Sequence, residues 1–438
     1  MSLKIKIHRC TNEIGGNCIE VRTKKTQIIF DFGMPLVNPD KTEFNFNKYK
    51  TLSNNELIKQ KILPDIKGFY KDKHKPINAI VISHPHLDHY GFMGFIRDDI
   101  PVFIGEAANE LIKISNIFTP SDVILENPLY YQHKKTFVVG DIKITPYLND
   151  HSAFDAYSFL IEGEGKRIFY SGDFRGHGRK EFFFNELIES PPKNIDYLMM
   201  EGTNIGRTKK NKTEKAIELE LSNLFKNGDK INLVYQAGQN IDRIVSVFKA
   251  CQSTGKILVL DVYLAYVVSK LVEITGSNLP FPSKNFPNIR VFFSSYASKQ
   301  IVESLGKEVL YKFQPYKITK DEVDRNFKNI VMVVRPSLNI HLKGLKNIDG
   351  GNLIYSLWEG YKDKGSTKLF IENLINNRKF NYYYIHTSGH ADVPTMKKMI
   401  KGLNPGKIIP IHTFNKNMYQ KLFNNSIVKL DDGVTFVC

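Results

Sequence analysis

Six consecutive residues, His84-Pro85-His86-Leu87-Asp88-His89, crowd three imidazoles and a carboxylate onto the end of an apolar run, Asn78-Ala-Ile-Val-Ile-Ser83. The β-branched run reads as a buried strand, so the polar cluster has to stand at a strand end. Imidazole and carboxylate suit zinc, and a donor set without thiolates favours a catalytic over a purely structural site. A lone histidine is usually a packed or exposed bystander, but three within six residues, with Asp88 among them, read as metal ligands. Six residues cannot close two coordination shells, because each catalytic metal takes about three protein ligands and keeps one position open. Further donors must come from elsewhere. Candidates stand where other strands end: His151 after Tyr147-Leu-Asn-Asp150, Asp173 in Ser171-Gly-Asp173, and His412 after Ile408-Ile-Pro-Ile411. Each alone has a mundane reading as a turn residue.

The 438 residues exceed what one simple core needs, so two domains, or one domain carrying a large insertion, are expected. From Lys4 to about Met200 the pattern is of short strands rich in β-branched and aromatic residues, bounded by Gly, Asn, Asp or Pro; two sheets packed face to face suit it. After Gly202 strands and helices alternate, with helices over Thr213 to Phe225, Asn240 to Cys251, Val262 to Thr275 and Ala297 to Leu305. That alternation predicts parallel strands with covering helices. Near Asn381 the pattern changes once more, and metal-type residues return. The first domain is therefore expected to span 1–203 and to be completed by 380–438, with an α/β insertion over 204–379. Residues 34–76, rich in Asn, Lys and aromatics, read as a long loop with one helix, Asn54 to Gln60, that overhangs the site.

No apolar run approaches the roughly 20 residues needed to cross a bilayer. The N-terminus alternates like a strand rather than like a signal segment, so the expectation is a cytoplasmic protein with no membrane partner. Four cysteines without CxxC spacing exclude a disulfide framework and a thiolate zinc site. Lys and Arg total 61 against 45 Asp and Glu, a net charge of +16 that raises the local concentration of polyanions. A Lys-rich, Asn-rich proteome bias explains the same charge equally well on composition alone.

The order HxHxDH, then His, then Asp in an SGD turn, then a late His, resembles the metallo-β-lactamase superfamily. That resemblance implies an α/β fold: a four-layer αββα sandwich with two metals at one edge, here with an inserted parallel-sheet domain. Carried over, His84, His86 and His151 hold one metal, Asp88, His89 and His412 the other, and Asp173 bridges them. Zinc is the expected ion at both positions, manganese the alternative.

The region between Asp173 and His412 resembles the β-CASP domain of the nucleic-acid-cleaving members. Glu201 in Met200-Glu201-Gly-Thr203 resembles that family's acidic motif A, and His386-Thr-Ser388-Gly-His390-Ala391 resembles the HxSGHA stretch of RNase J-like enzymes. The implied function is a metal-dependent ribonuclease, endonuclease or 5′-exonuclease, in which a metal pair activates hydroxide. In that reading His390 is general acid oriented by Glu201, Asp88 orients the hydroxide, and His386 and Ser388 bind phosphate. RNA is the expected partner because histidine stands at motif C, with DNA the alternative and homo-oligomerisation compatible with the pattern. A small-molecule hydrolase acting on a thioester, lactone or phosphoester is the second reading, and a catalytically silent nucleic-acid-binding scaffold the third. The chain departs from the family where Thr413-Phe414 replaces Gly-Glu after His412, and it has no length for the extra C-terminal domain of RNase J. Asp150 and Asp155 are read as acceptors that orient His151 or shape its turn, and Lys209, Lys210, Lys212 and Lys215 as a solvated helix start.

Overall fold

The computed structural model describes residues 2–38, 42–71, 74–119, 123–208, 210–226 and 228–438. Three seven-stranded sheets organise them. The first runs edge to edge through Thr435–Val437, Lys4–Arg9, Cys18–Arg22, Gln27–Phe30, Ala79–Val81, Val102–Ile104 and Leu129–Tyr130. The second runs through Ser426–Ile427, Lys407–Ile411, Tyr197–Glu201, Lys166–Tyr170, Tyr157–Gly163, Ile142–Leu148 and Phe137–Val139. C-terminal strands thus close one edge of each sheet, Thr435–Val437 on Lys4–Arg9 and Lys407–Ile411 on Tyr197–Glu201.

The two sheets stack because their strands alternate apolar residues onto two faces. Along Tyr197–Glu201, Tyr197 and Met199 enter the core shared with Ile5 and Phe30 of the facing sheet, while Leu198 and Met200 point the other way. The outward face is covered by the helices Glu181–Glu189 and Val393–Leu403 through Phe184, Leu187, Met396 and Met399. On the far side of the first sheet, Ile29, Ile80 and Ile82 pack under Leu57, Phe69 and Ile112. The helix carrying Leu57, Asn54–Lys59, opens with a reciprocal Ser53–Glu56 capping box. The layers are helix, sheet, sheet and helix, as expected.

The third sheet is parallel throughout: Lys317–Ile318, Ile289–Phe292, Ile257–Asp261, Ile330–Val334, Asn232–Tyr235, Asn352–Tyr355 and Asn381–Tyr384. Its central strands are buried on both faces, which is why they read as unbroken apolar runs. One difference from the sequence reading concerns its edge. Asn381–Tyr384 pairs in register with Asn352–Tyr355, so the sheet continues beyond residue 379, where the sequence pattern ended the insertion. Strand pairing over some 30 residues leaves no local mark.

The helix Glu106–Phe118, absent from the sequence reading, joins the two parts. Ala108 and Ile112 belong to the core over the first sheet, whereas Ala107, Leu111 and Ile114 belong to the core of the third. No described helix is long and apolar enough to cross a membrane.

Candidate metal centre

The strand Ala79–Val81 ends under Ser83, and the chain then turns through His84-Pro85-His86 into a short helix, Leu87–Tyr90. The turn lies tight against the neighbouring strand end: a Cβ on Gly33 would stand 1.7 Å from the Asp88 carbonyl oxygen, so this position accepts no side chain. All seven predicted ligand residues converge here, in two adjoining groups: His84, His86 and His151, and Asp88, His89, Asp173 and His412. Within each group one donor atom per residue lies within 4.8 Å of the others. Asp173 Oδ2 stands between the groups, 3.2 Å from His89 Nε2 and 3.7 Å from His84 Nε2.

Hydrogen bonds from behind fix which nitrogen of each ring faces inward. His89 Nδ1 donates to Asp31 Oδ2 at 2.8 Å and His412 Nδ1 donates to Asn17 Oδ1 at 2.9 Å, leaving both Nε2 atoms aimed at the cluster. Ser83 Oγ donates to Asp31 at 2.9 Å and stands 3.0 Å from His84 Nδ1, which does the same for His84. His412 and Asp31 both take a left-handed backbone, φ +50° and +59°, unfavourable for side-chain-bearing residues and concentrated where function demands it. Asp31 and Asn17 were missed in the sequence. The only available signal for Asp31 was an acidic residue closing the apolar strand Gln27-Ile-Ile-Phe30 beside Gly33.

The protonation states of His84, His86, His151 and Asp173 suit cation binding, whereas Asp173 and Asp31 outweigh burial and hold His89 well above the usual imidazole range, so that ring gives up a proton when it ligates. Burial pushes His84 and His151 well below the usual imidazole range, with neighbouring imidazoles adding to it, and lowers His86 to about 4. Burial works against the Asp173 carboxylate, yet His412, His89 and His390 outweigh it and hold it well below its ordinary value. Neutral imidazoles and an ionised carboxylate are the ligand forms metals require. Moreover His84 Nε2, His151 Nδ1, Asp173 Oδ1 and His412 Nε2 are buried with no hydrogen-bond partner. Each such atom costs about 1–3 kcal/mol unless something binds it. The described donors, all nitrogen and oxygen and all directed at one space, fit divalent cations.

At the rim stand the acid and phosphate candidates. Glu201 ends its strand fully buried, accepting from Thr203 N at 2.9 Å and Ala391 N at 3.3 Å, and its Oε1 lies 3.4 Å from His390 Nδ1. Ser388 Oγ accepts from Asn204 Nδ2 and His390 N, both at 3.1 Å. His386 Nδ1 donates to the Ser356 carbonyl at 3.2 Å. The segment passes so close to His151 that a Cβ on Gly389 would stand 2.4 Å from Ser152 Oγ.

A model of the β-lactamase superfamily domain matches residues 59–221, and one of the Zn-dependent metallo-hydrolase RNA specificity domain matches residues 377–420. These two stretches carry all seven clustered residues together with Glu201, His386, Ser388 and His390. Together the two matches and the relatives support the metallo-β-lactamase superfamily, in its RNase J-like β-CASP branch. It is 22% identical to Ribonuclease J of Mycoplasma genitalium, over 96% of this chain and 70% of that one. It is 21% identical to Ribonuclease J of Mycoplasma pneumoniae, over 82% of this chain, and spans 61% of that protein's length. The fold matches a crystal structure of a protein of unknown function from Enterococcus faecalis V583, with 21% identity, a TM-score of 0.79 and full coverage of both chains.

In this chain the insertion is fastened to the sandwich by a buried ionic seam. Arg175, two residues past Asp173, pairs with Asp150 at 3.2 Å, with Glu214 at 3.7 Å and with Asp242. Arg243 pairs with Glu214 at 2.9 Å, and Lys180 with Asp242 at 3.1 Å. Asp150 therefore anchors Arg175, and its other oxygen accepts from Gly178 N at 2.7 Å rather than orienting His151. Asp155 accepts from Ala108 N at 3.0 Å, serving the start of the helix Glu106–Phe118. His177 donates to the Ser388 carbonyl at 2.9 Å. Lys212 and Lys215 pair with Glu220 and Glu218, each at 2.5 Å; Lys209 lies outside the described residues.

Proposed function

We propose that this chain is a ribonuclease that hydrolyses phosphodiesters of single-stranded RNA across two divalent ions, zinc by donor chemistry with manganese the alternative. The observation that carries the reading is His390, held by Glu201 at the rim of a seven-residue metal cluster in the stretch matched by an RNA-specificity model. The relatives' name, Ribonuclease J, supports the same substrate class.

In this reading His84, His86 and His151 hold one ion, Asp88, His89 and His412 the other, and Asp173 lies between them. The ion pair, when bound, supplies Lewis-acid stabilisation of phosphoryl charge and an acidified water. The chain's own residues do the rest. Ser388 offers its hydroxyl to a non-bridging phosphate oxygen and fixes the scissile group, and His386, which burial keeps neutral with its one N–H on the Ser356 carbonyl, lines the phosphate position. Burial opposes a charge on His390, but Glu201 and then Asp173 outweigh it and push its pKa up to about 9. His390 is therefore charged near neutrality and delivers its proton to the departing oxygen. Glu201 keeps the ring turned toward that oxygen, and Asp88 accepts a hydrogen bond from the attacking water. The insertion, residues 204–379 and its edge strand, forms one wall of the cleft.

The test is incubation of end-labelled single-stranded RNA with metal-loaded protein. Cleavage is expected, abolished by Asp88→Ala and slowed about 10²–10⁴-fold by His390→Ala. RNA left intact across several sequences and 5′ ends would overturn the reading.

A further inference from the structure

The edge strand Asn381–Tyr384 leads straight into His386, and its residues at alternate positions share one face. On that face Tyr384 and the His386 ring lie nearly parallel, with centroids 6.0 Å apart and planes 29° apart. Behind them, fully buried Tyr355 is stacked against both Tyr382 and Tyr384, at 6.4 and 6.2 Å. The Tyr355 hydroxyl donates to the Trp358 carbonyl at 3.1 Å, which ties the loop carrying Trp358 to the same stack. Trp358, the only tryptophan in the chain, is 45% exposed, and Tyr361 meets it edge-on at 5.1 Å.

Cations border these rings. The Arg207 guanidinium stands 5.9 Å from the Trp358 ring, Lys362 lies 4.6 Å from Tyr382, and Lys364 lies 5.7 Å from Tyr361. Arg207 also donates to Asn204 Oδ1 at 2.9 Å, and Asn204 in turn holds Ser388 and His390. The aromatic surface is thus mechanically continuous with the loop assigned to the scissile phosphate. Large exposed rings, held rigid from behind and not closed into any core, are costly to leave in water unless something stacks on them.

We infer that Trp358, Tyr384 and Arg207 form a base-stacking ledge that grips the nucleotides of a single-stranded RNA adjoining the His386–His390 loop. This rests on the ribonuclease reading and adds to it where, and by what chemistry, the strand is held. Every base offers a π-face, so the ledge tolerates sequence, and bases already stacked in a duplex do not supply free faces to it. Glu359 and Asp363 also stand near Tyr382, so stacking rather than net charge carries the affinity, and the grip outlasts added salt better than a phosphate contact does.

The single tryptophan makes the test direct. His390→Ala protein, metal-loaded and slow to cleave, is titrated with a short fluorescein-labelled single-stranded oligoribonucleotide while anisotropy and tryptophan emission are followed together. Emission should be quenched along the same saturation curve as the anisotropy. Trp358→Ala and Tyr384→Ala, each made in that background, should weaken binding about tenfold. Trp358→Phe should restore most of it, and Tyr383→Ala, on the opposite face of the strand, should change nothing. The same oligonucleotide annealed to its complement should bind more weakly. RNA binding with unchanged tryptophan emission, or undiminished by Trp358→Ala, overturns the ledge while leaving the ribonuclease reading standing. If no RNA is bound and the wild-type protein cleaves none, the ribonuclease reading fails first and the ledge with it.

Discussion

Around His84, buried nitrogens and oxygens face one another without partners; two residues beyond Asp173, at Arg175, each buried charge meets an opposite one. The two clusters are neighbours in the chain, since Asp150 of the seam directly precedes His151 of the metal centre. Both are buried but for half-buried His86 in the first and Lys180 in the second, and both are made of residues that ordinarily avoid the interior. The seam balances three cations, Arg175, Arg243 and Lys180, against three carboxylates, Asp150, Asp242 and Glu214. Lone pairs left open and aimed at one point mark a place for a ligand. Charges closed on one another mark a joint, here the joint that holds the insertion and Ser388 against the ligand loops.

That contrast is broken or sharpened by four measurements. The largest effect is expected from the open cluster: chelation, or Asp173→Ala, should reduce RNA cleavage to background. Chelation should also lower the melting temperature, because ions at 100 times Kd contribute about 2.7 kcal/mol to the folded state. Next comes the closed cluster. Arg175→Met strands Asp150 and leaves Asp242 and Glu214 with one cation each, Lys180 and Arg243, and urea unfolding should show a loss of about 3–5 kcal/mol while metal content is unchanged. A seam variant that kept its stability but lost its metals would reverse the two assignments.

A smaller effect is expected at the rim. Glu201→Gln removes the charge beside His390 and keeps one of the two oxygens that accept from Ala391 N and Thr203 N, so kcat should fall roughly 10- to 100-fold with KM nearly constant. An equal rise in KM would make Glu201 a structural strand end only. The smallest effect concerns pH. Burial would raise Glu214, but Arg243 and then Arg175 hold it well below the usual carboxylate range, and Lys180 and Arg175 likewise lower Asp242 against burial. Groups with depressed folded pKa values stabilise fully above their unfolded values, near 4, and lose that contribution as pH falls toward the folded ones. The stability gap between wild type and Arg175→Met should therefore be widest near neutral pH and narrow as pH falls, first as the variant's stranded carboxylate takes up a proton and then through the depressed wild-type values, in pH-dependent urea unfolding.

The sandwich was legible because its strands alternate onto two faces, and the open cluster because HPHLDH concentrates its signal in six residues while His151, Asp173 and His412 each close an apolar strand. Glu106–Phe118 escaped because it is apolar on two faces, one for each core, which blurs the single stripe that betrays a surface helix. The strand Asn381–Tyr384 was assigned to the closing segment because Asn-Tyr-Tyr-Tyr says nothing about which sheet it extends. The seam was illegible for a deeper reason. Asp150, Arg175, Glu214 and Asp242 come from four separate stretches, and an Arg or Glu on an amphipathic helix reads as solvated until its partner is found in space. Asp31 and Asn17 share that fate, each being one polar residue whose meaning is the ring it orients.

The most direct measurement is elemental analysis of metal per chain, on protein loaded with zinc and freed of excess, for the wild type, Arg175→Met and Asp173→Ala. Two ions per chain are predicted for the first two, with a clear loss for Asp173→Ala. A wild type that retains none, or an Asp173→Ala protein that keeps both, would contradict the reading of the open cluster as a two-metal centre.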